Sequence, residues 1–346
     1  MKRSWLWIAL GVLLLAGAYL ILPQVRFDLH PFVATCLRDN EIDTADRQAV
    51  QDTASRFVRD LVGQSPQTAY ASMTQARRSA ISAREFEALA TQVHSDASPA
   101  PLTIAGAYLV KATPGAGQDA FVPCGLSNPR GVDFVRLGSA PKQAHVILVE
   151  PVTNGQQTFA VSLLFESGKW KADGFHTWIS EIAGRGGAEL WAQAKQQRQR
   201  GHLFNATMLY AVASQALDGG PYYHPAAWSE FRKDYQTFTP TPELKGPPPY
   251  NWSLGQKTFK ISSVSYIGLD DHQVMLIIYQ PLVNWLGERD ADHRNHELID
   301  AFVAAHPEWI ESFDGIVVRS TKPDDNSGYG TVYTKRGGFA PSKPAN

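Results

Sequence analysis

Residues 158–177 read TFAVSLLFESGKWKADGFHT. Apolar side chains fill every second position of the first half, at Phe159, Val161, Leu163 and Phe165. This period of two predicts a β-strand over Thr158–Phe165 with one covered face, because successive side chains of a strand point to opposite faces. Ser167-Gly168-Lys169 has the composition of a tight turn. The stretch therefore predicts an antiparallel hairpin whose second strand is Trp170–Thr177.

The residues before this hairpin change from helical to strand periodicity. Apolar positions recur every three to four residues over 44–62, and Ser82 with Glu85 forms a capping box that predicts a second helix start. Three strands are predicted after these helices, at Leu102–Lys111, Asp119–Pro123 and His145–Val152. Helices followed by a run of strands indicate an α+β fold.

Four segments give residues 44–178 a resemblance to the NTF2-like (cystatin-like) superfamily. They are Phe57–Leu61, Ala69–Thr74, Ser82–Phe86 and the closing strand Lys169–Phe175. The resemblance implies a long helix, shorter helices and a curved antiparallel sheet around a cone-shaped cavity. In NTF2-like enzymes strand residues line that cavity, and acid–base chemistry there uses a carboxylate or a histidine beside the substrate.

Asp173, His176 and Trp178 lie at the end of the closing strand and are the candidate ligand-binding residues that this resemblance implies. Asp173 and His176 are residue types that can exchange protons with a substrate. Packing or hydrogen bonding at the end of the sheet is their alternative role. No residue is assigned a catalytic role, and no cofactor is expected.

The densest polar cluster of the sequence comprises Asp290, Asp292, His293, His296 and Glu297. Two histidines three residues apart on a helix can ligate one metal ion. Acidic side chains in the first turn also stabilise a helix through its dipole. We predict a solvated first turn here and assign no metal ligands.

Beyond the first domain the sequence predicts a helical hairpin, Ala188–Arg200 and Leu203–Leu217, and a second small α+β domain. The second domain is a ββαββ unit with predicted elements Phe259–Ile267, Gln273–Tyr279, His293–Phe313, Ile316–Thr321 and Gly330–Thr334. The segments FDGIVVR at 313–319 and GYGT at 328–331 resemble parts of bacterial membrane-anchored envelope proteins that join an NTF2-like half to such a unit. That family has no activity to carry over.

The chain begins with a predicted membrane anchor. Lys2 and Arg3 precede an uncharged apolar run from Trp5 to Leu22, which is long enough to span a bilayer as a helix. Positive charge before the run predicts a cytoplasmic N-terminus and an exported, periplasmic remainder on the bacterial inner membrane. A signal peptide cleaved after the small residues at 16–18 and a buried soluble helix are the alternatives.

Six segments make up the predicted organisation. They are the anchor 1–26, a tether 27–43, the NTF2-like α+β domain 44–178, the helical hairpin connector 179–221, the C-terminal α+β domain 222–335 and a flexible tail 336–346. Cys36 and Cys124 are the two cysteines of the chain. Because cysteines of exported proteins often pair, we predict a Cys36–Cys124 disulfide, with two free buried thiols as the alternative.

The composition narrows the function classes. A formal net charge of −1 leaves no surplus of cations to neutralise phosphates, which disfavours nucleic acid as a partner. The leading hypothesis is a membrane-anchored, envelope-facing binding or assembly module without catalytic activity. Its partner would be an envelope protein or a small apolar ligand. An enzyme or small-molecule carrier that uses the NTF2-like cavity is the alternative, and a structural protein that oligomerises through its aromatic hairpin is a third hypothesis.

Overall fold

The computed structural model describes residues 34–63, 65–94, 101–113, 120–126, 131–152, 155–268, 274–282, 284–322 and 327–339. No helix within these ranges is long and apolar enough to cross a membrane. The predicted anchor, the first part of the predicted tether and the tail beyond Phe339 lie outside the described residues.

The helices of the described ranges lie in three groups along the chain. The first group contains α1 (Thr44–Val62), α2 (Pro66–Ala71), α3 (Gln75–Ala80) and α4 (Ala83–His94). The second and third groups contain α5 (Gly187–Gln199), α6 (Leu203–Leu217) and α7 (Trp228–Thr237), and then α8 (Glu288–Ala305). Short 3-10 turns occur at Asp39–Glu41, Pro242–Leu244 and Pro307–Glu311.

The capping box predicted before α4 is present. The backbone N–H of Ser82 donates to Glu85 Oε2 at 2.8 Å, and the backbone N–H of Glu85 donates to Ser82 Oγ at 3.3 Å. Helix α3 was not predicted, because its polar sequence QARRSA has no apolar period.

The strands form four sheets. The six-stranded sheet contains β1 (Ala34–Arg38), β2 (Thr103–Ala112), β5 (Lys142–Val152), β6 (Gly155–Glu166), β7 (Lys169–Ile182) and β8 (Arg185–Gly186). A three-stranded sheet contains β3 (Phe121–Cys124), β4 (Asp133–Arg136) and β9 (Tyr223–His224). A two-stranded sheet contains β10 (Tyr250–Leu254) and β11 (Lys257–Ile261). The five-stranded C-terminal sheet contains β12 (Ser263–Gly268), β13 (Val274–Pro281), β14 (Gly315–Thr321), β15 (Gly328–Thr334) and β16 (Gly338–Phe339).

The predicted hairpin at 158–177 is the β6–β7 pair of the six-stranded sheet. Val161 lies opposite Phe175 in an antiparallel ladder. Ser167 and Gly168 form the turn with φ of 53° and 78°. Two successive positive φ values suit a two-residue hairpin, because their twist matches that of the strands. All neighbours in this curled sheet are antiparallel.

Helices cover one face of this sheet. Phe159, Val161 and Leu163 of β6 are fully buried there in one apolar cluster with residues of α1, α2 and α4. Phe175 of β7 joins it, with its ring centroid 5.7 Å from that of Phe57 and 6.2 Å from that of Phe86. The fold is therefore α+β, with the helices packed against an antiparallel sheet.

The other face of the sheet is also covered, contrary to the one-faced prediction. Thr158, Ala160 and Ser162 are at most 5 % exposed. The three-stranded sheet contributes Val122 and Val135 to a second apolar cluster that contains Ala160, and Tyr222, the residue before β9, belongs to the same cluster. Because β3, β4 and β9 come from distant parts of the chain, the period of residues 158–165 does not indicate their presence. Phe165 lies beyond the helices and is 41 % exposed.

Strand β7 contains a bulge next to the predicted site. Ser162 pairs with Gly174 and Leu163 pairs with Ala172, which leaves Asp173 as the extra residue. A bulge bends its strand and changes the direction of its side chains. The bend occurs where the Met73–Ala172 bridge connects the start of α3 to the sheet.

The helical hairpin α5–α6 shares one apolar cluster with the C-terminal sheet. Gln197 of α5, at a position where an apolar residue is expected, is 5 % exposed. Its Nε2 donates to Glu311 Oε2 at 3.0 Å, and its Oε1 accepts from Asn205 Nδ2 at 3.2 Å. This amide thereby connects the hairpin to the 3-10 turn after α8.

The C-terminal sheet has the order β12-β13-β14-β15-β16. Strands β13 and β14 are parallel, and α8 lies between them in the chain. The predicted order of two strands, a helix and two strands is therefore present, followed by the short β16. The predicted first strand, Phe259–Ile267, is divided between β11 and β12, which belong to different sheets. The helix begins at Glu288, five residues before the predicted start, because the polar residues 288–292 form its first turns.

A buried carboxylate joins the two sheets of the N-terminal half. Asp133 of β4 accepts hydrogen bonds from Arg38 Nη1 at 2.7 Å, Tyr108 Oη at 2.8 Å and Tyr223 Oη at 3.2 Å. The backbone N–H of Ala226 is a fourth donor, at 3.0 Å. The side chains come from β1, β2 and β9, so a single carboxylate holds three other strands around β4.

Strand β1 lies in a segment that the sequence predicts to be a tether. Residues 34–38 pair with β2 along their whole length, so this part of the chain is an edge strand of the six-stranded sheet. Cys36 of β1 is bonded to Cys124 of β3, with 5.2 Å between the Cα atoms. The disulfide is therefore a second link between the two sheets.

We expect Asp133→Asn to lower the free energy of unfolding by about 3 kcal/mol, because it removes the charge from a buried ion pair and leaves donors without a full acceptor. Urea denaturation followed by circular dichroism measures this loss. Asp52→Asn, at an exposed position of α1, is the matched control and should change stability little. Equal effects of the two substitutions would contradict the role of Asp133.

We expect reduction of Cys36–Cys124 to lower the free energy of unfolding by up to about 4 kcal/mol, because the bond closes a loop of 88 residues in the unfolded chain. Urea denaturation with and without dithiothreitol measures the change. The double variant Cys36→Ser, Cys124→Ser should be destabilised similarly and should not respond to dithiothreitol. A wild-type protein insensitive to the reductant would count against the bond.

Candidate functional site

A cavity of about 430 Å³ lies beside β7, at its residues 174–177. Helices α3 and α4 form the opposite wall, and Tyr222 closes one end. Apolar side chains make up most of the lining, at Met73, Ile81, Phe86, Leu89, Val93 and Phe175. An apolar cavity with a few polar groups is the usual form of a small-molecule site.

Arg77 and Tyr222 form the polar group at the Gly174 end of the cavity. Arg77 Nη2 donates to Tyr222 Oη at 2.8 Å, and Arg77 Nε donates to the backbone carbonyl of Asp173 at 2.5 Å. Among the described residues, Arg77 Nη1 has no hydrogen-bond partner and the Tyr222 hydroxyl hydrogen has no acceptor. Both groups can therefore still donate to a ligand.

Helix α3 positions Arg77. Thr74 is the N-cap of this helix, and its Oγ1 accepts from the backbone N–H of Arg77 at 3.2 Å. The same hydroxyl donates to Asp173 Oδ1 at 3.0 Å. The N-cap thus fixes the first turn of α3 to the bulge of β7, and Arg77 follows from that turn.

Gln157 supplies a polar atom at the Thr177 end. Its side chain is 6 % exposed, and its Nε2 donates to Thr177 Oγ1 at 2.8 Å. Its Oε1 is buried and has no hydrogen-bond partner. An unsatisfied buried carbonyl costs about 1–3 kcal/mol.

Glu150 lies directly across the β5–β6 ladder from Gln157. The two side chains are on the helix-covered face of the sheet, and one oxygen of Glu150 is likewise buried without a partner. Burial raises the pKa of the Glu150 carboxyl, which favours its neutral form.

Positive charge prevails at the other end. The positive charges of Arg77 and Arg136 lie near the Tyr222 hydroxyl, together with the single negative charge of Asp173. Burial raises the pKa of Tyr222, and the nearby Arg77 offsets part of this rise. Tyr222 is therefore a neutral hydrogen-bond donor beside an arginine.

The three residues that the sequence singles out have different surroundings. His176 lines the cavity, and its ring stacks on Trp178 with centroids 5.7 Å apart. Asp173 and Trp178 are not among the lining residues. The Asp173 carboxylate is bonded to Thr74, and Trp178 Nε1 donates to the backbone carbonyl of Ala216 at 3.1 Å. An Asp173–His176 acid–base pair facing the cavity is therefore not assembled.

Sequence reasoning missed Arg77, Gln157 and Tyr222. Tyr222 lies 48 residues beyond Gly174 in the chain, and Arg77 lies on a helix without an apolar period. Gly174 was the available signal, because a glycine inside a strand often marks the close approach of another group. Here that group is the Tyr222 hydroxyl.

The polar cluster at 290–297 does not form a metal site. Arg294 pairs with Asp290 at 2.9 Å, Thr331 Oγ1 donates to Asp292 Oδ1 at 2.8 Å, and the His296 ring lies 3.9 Å from that of Phe339. Within the part of the chain that the structure describes, no group of three His, Cys, Asp or Glu side chains could hold a metal ion.

Comparisons of this chain with protein-family models, with curated proteins and with solved structures find no match.

We expect Gly174→Ala to displace Tyr222, because the new Cβ would lie 2.1 Å from the Tyr222 hydroxyl oxygen. The cost should be about 1–3 kcal/mol of unfolding free energy, measured by urea denaturation. Gly186→Ala is the control, since its Cβ would meet no atom within 4 Å. In a Tyr222→Ala background Gly174→Ala should cost much less, and an unchanged cost there would contradict the contact.

Proposed function

We propose that this chain is a membrane-anchored, envelope-facing binding module that holds a small molecule in the β7 cavity and does not transform it. The largely apolar cavity with the hydrogen-bonded pair of Arg77 and Tyr222 at its Gly174 end is the observation that carries this proposal. An apolar cavity with a few polar groups is the usual form of a small-molecule site.

The arrangement of helices and sheet supports an NTF2-like assignment of the N-terminal half. Helix α1 and the shorter helices pack on one face of a curled antiparallel sheet, and the cavity lies between helices and sheet. These are the features that the sequence resemblance implies. The assignment is part of the proposal.

The location follows from two properties of the chain. The apolar segment 5–22 with its preceding Lys2 and Arg3 is typical of a signal anchor. The Cys36–Cys124 disulfide suits an oxidising compartment. Both support a periplasmic position for the cavity.

An enzyme is the second candidate function, and His176 favours it. His176 is among the residues that line the cavity, and among the described residues neither of its ring nitrogens has a hydrogen-bond partner. A histidine in that position could exchange a proton with a bound substrate. The Asp173 carboxylate is held by Thr74, so it does not orient this ring.

The proposed function is tested by isolating the full chain from membranes in lipid nanodiscs and identifying co-purified small molecules by mass spectrometry. We expect the wild-type protein to retain a small molecule that Ala80→Trp loses, because Ala80 lines the cavity from α3 and a tryptophan there would fill it. Ala76→Trp lies on the same helix outside the lining and should retain the molecule.

Two outcomes would overturn this function. If wild type and Ala80→Trp carry the same molecules, the cavity is not the site. If the wild-type protein carries none but co-purifies with an envelope protein, the chain is an assembly module.

A retained molecule that is chemically altered by wild type but not by His176→Ala would establish the enzyme.

A further inference from the structure

Arg77 is the charged residue in the lining of the β7 cavity. Among the described residues that line this cavity none is acidic, and Arg77 is the one with a permanent charge. Its hydrogen bonds go to two uncharged groups, the Tyr222 hydroxyl and the backbone carbonyl of Asp173. The Asp173 carboxylate is bonded to Thr74 and is not in the lining. No carboxylate in the described part of the chain forms a salt bridge with this guanidinium.

The polar atoms of Arg77 and Tyr222 lie over Gly174. A Cβ on Gly174 would be 2.1 Å from Tyr222 Oη and 3.1 Å from Arg77 Nη2. All three residues line the cavity, so the missing side chain at 174 leaves room for this polar pair at the cavity wall. The pair therefore forms the boundary of the cavity at its Gly174 end.

The pair presents hydrogen-bond donors to a ligand. The Tyr222 oxygen already accepts from Arg77, so its own hydrogen is available to another acceptor. A guanidinium has five N–H donors, and those of Arg77 Nη1 have no partner among the described residues. A carboxylate has two oxygens and can accept from both groups, through charge-assisted hydrogen bonds that are stronger than neutral ones.

The charges around the pair suit an anion with a single charge. Arg77, Arg136 and Asp173 lie near the Tyr222 hydroxyl, which leaves a surplus of one positive charge. A carboxylate balances this surplus. A phosphate monoester carries about −1.5 to −2 and would exceed it, whereas an ammonium group would be repelled.

The rest of the ligand must match an apolar wall. Phe86, Leu89 and Val93 of α4 and Phe175 of β7 contribute large apolar side chains to the lining. Leu89 is 42 % exposed, so a ligand in the cavity can remove apolar surface from water at this helix. Removing such surface from water favours binding of an apolar chain.

We propose that the β7 cavity binds a monocarboxylate with an apolar chain. The carboxylate accepts hydrogen bonds from Arg77 and Tyr222. The chain packs against Phe86, Leu89 and Phe175. This inference rests on the proposed function, because it names the ligand class of the same cavity.

Three probes of equal chain length test it: octanoate, octanamide and protonated octylamine. The full chain in phosphatidylcholine nanodiscs, whose lipid has no net charge, is titrated with each probe by calorimetry, with empty nanodiscs as the blank. We expect octanoate to bind about tenfold more tightly than octanamide, because charge-assisted hydrogen bonds are about twice as strong as neutral ones. It should also bind more tightly than the ammonium probe. Octanoate bound no more tightly than either of the others would overturn the inference.

A variant of Arg77 assigns the carboxylate. Arg77→Gln should remove the preference for octanoate over octanamide, because it removes the positive charge at the cavity wall. Arg78→Gln removes the charge of the next residue, which is outside the lining, and should preserve the preference. An Arg77→Gln protein that folds and keeps the preference would overturn the assignment. The ranking of the three probes on the wild-type protein tests the ligand class even if this variant does not fold.

A variant of Leu89 assigns the apolar chain. Leu89→Glu should weaken octanoate binding at least about tenfold, because it replaces an apolar contact by a like charge. Leu203→Glu is the matched control, since Leu203 is 41 % exposed on α6 and is outside the lining. Equal affinities of the two variants for octanoate would overturn the position of the chain.

Failure of this inference is distinguishable from failure of the proposed function. If octanoate shows no preference but a molecule lost in Ala80→Trp is retained from membranes, the ligand class is wrong and the binding function stands. If none of the probes binds and no molecule is retained, both are wrong.

Discussion

The buried carboxylate of Asp133 is the contact on which the N-terminal half depends. It receives hydrogen bonds from Arg38, Tyr108, Tyr223 and the backbone of Ala226, which belong to three separate parts of the chain. A buried charge is tolerated only when it is paired and hydrogen-bonded. The donors therefore stabilise the carboxylate, and the carboxylate in turn fixes the positions of the donors. The three-stranded sheet is thereby fixed on the six-stranded sheet, and the Cys36–Cys124 disulfide links the same two layers covalently.

The candidate site is connected to the Asp133 carboxylate through the peptide bond between Tyr222 and Tyr223. Tyr223, which donates to Asp133, directly follows Tyr222, whose hydroxyl meets Arg77 above Gly174. The backbone carbonyl of Tyr222 also accepts from the backbone N–H of Arg136 in β4, at 3.0 Å. The position of Tyr222 at the end of the cavity is therefore set by the network that joins the sheets. The bulge at Asp173 and the N-cap at Thr74 set the position of Arg77 from the other side.

Buried polar side chains connect the elements of the C-terminal half in a similar way. Gln197 joins the helical hairpin to the 3-10 turn after α8 through Glu311 and Asn205. Asn295 of α8 is fully buried and bonds Thr331 and Ser320 of the C-terminal sheet, at 3.1 and 2.6 Å. These contacts satisfy the side-chain amides of Gln197 and Asn295, which stabilises a single arrangement of the elements. One oxygen each of Gln157, Glu150 and Asn205 is buried without a hydrogen-bond partner.

The sequence by itself determined the elements whose cause is local. The alternation at 158–165 and the turn at Ser167–Gly168 predicted the β6–β7 hairpin, the Ser82–Glu85 capping box predicted the start of α4, and the α+β class followed from their order. His176, which the sequence singled out, is among the residues that line the cavity. Only the tertiary structure decided that β1 joins the sheet, that a second sheet covers the polar-looking face of β6, and that Arg77, Gln157 and Tyr222 meet at one cavity. The physical reason is that periodicity reports which residues of one segment share a face. The group that covers that face, or completes a site on it, comes from a distant segment and leaves no periodic trace.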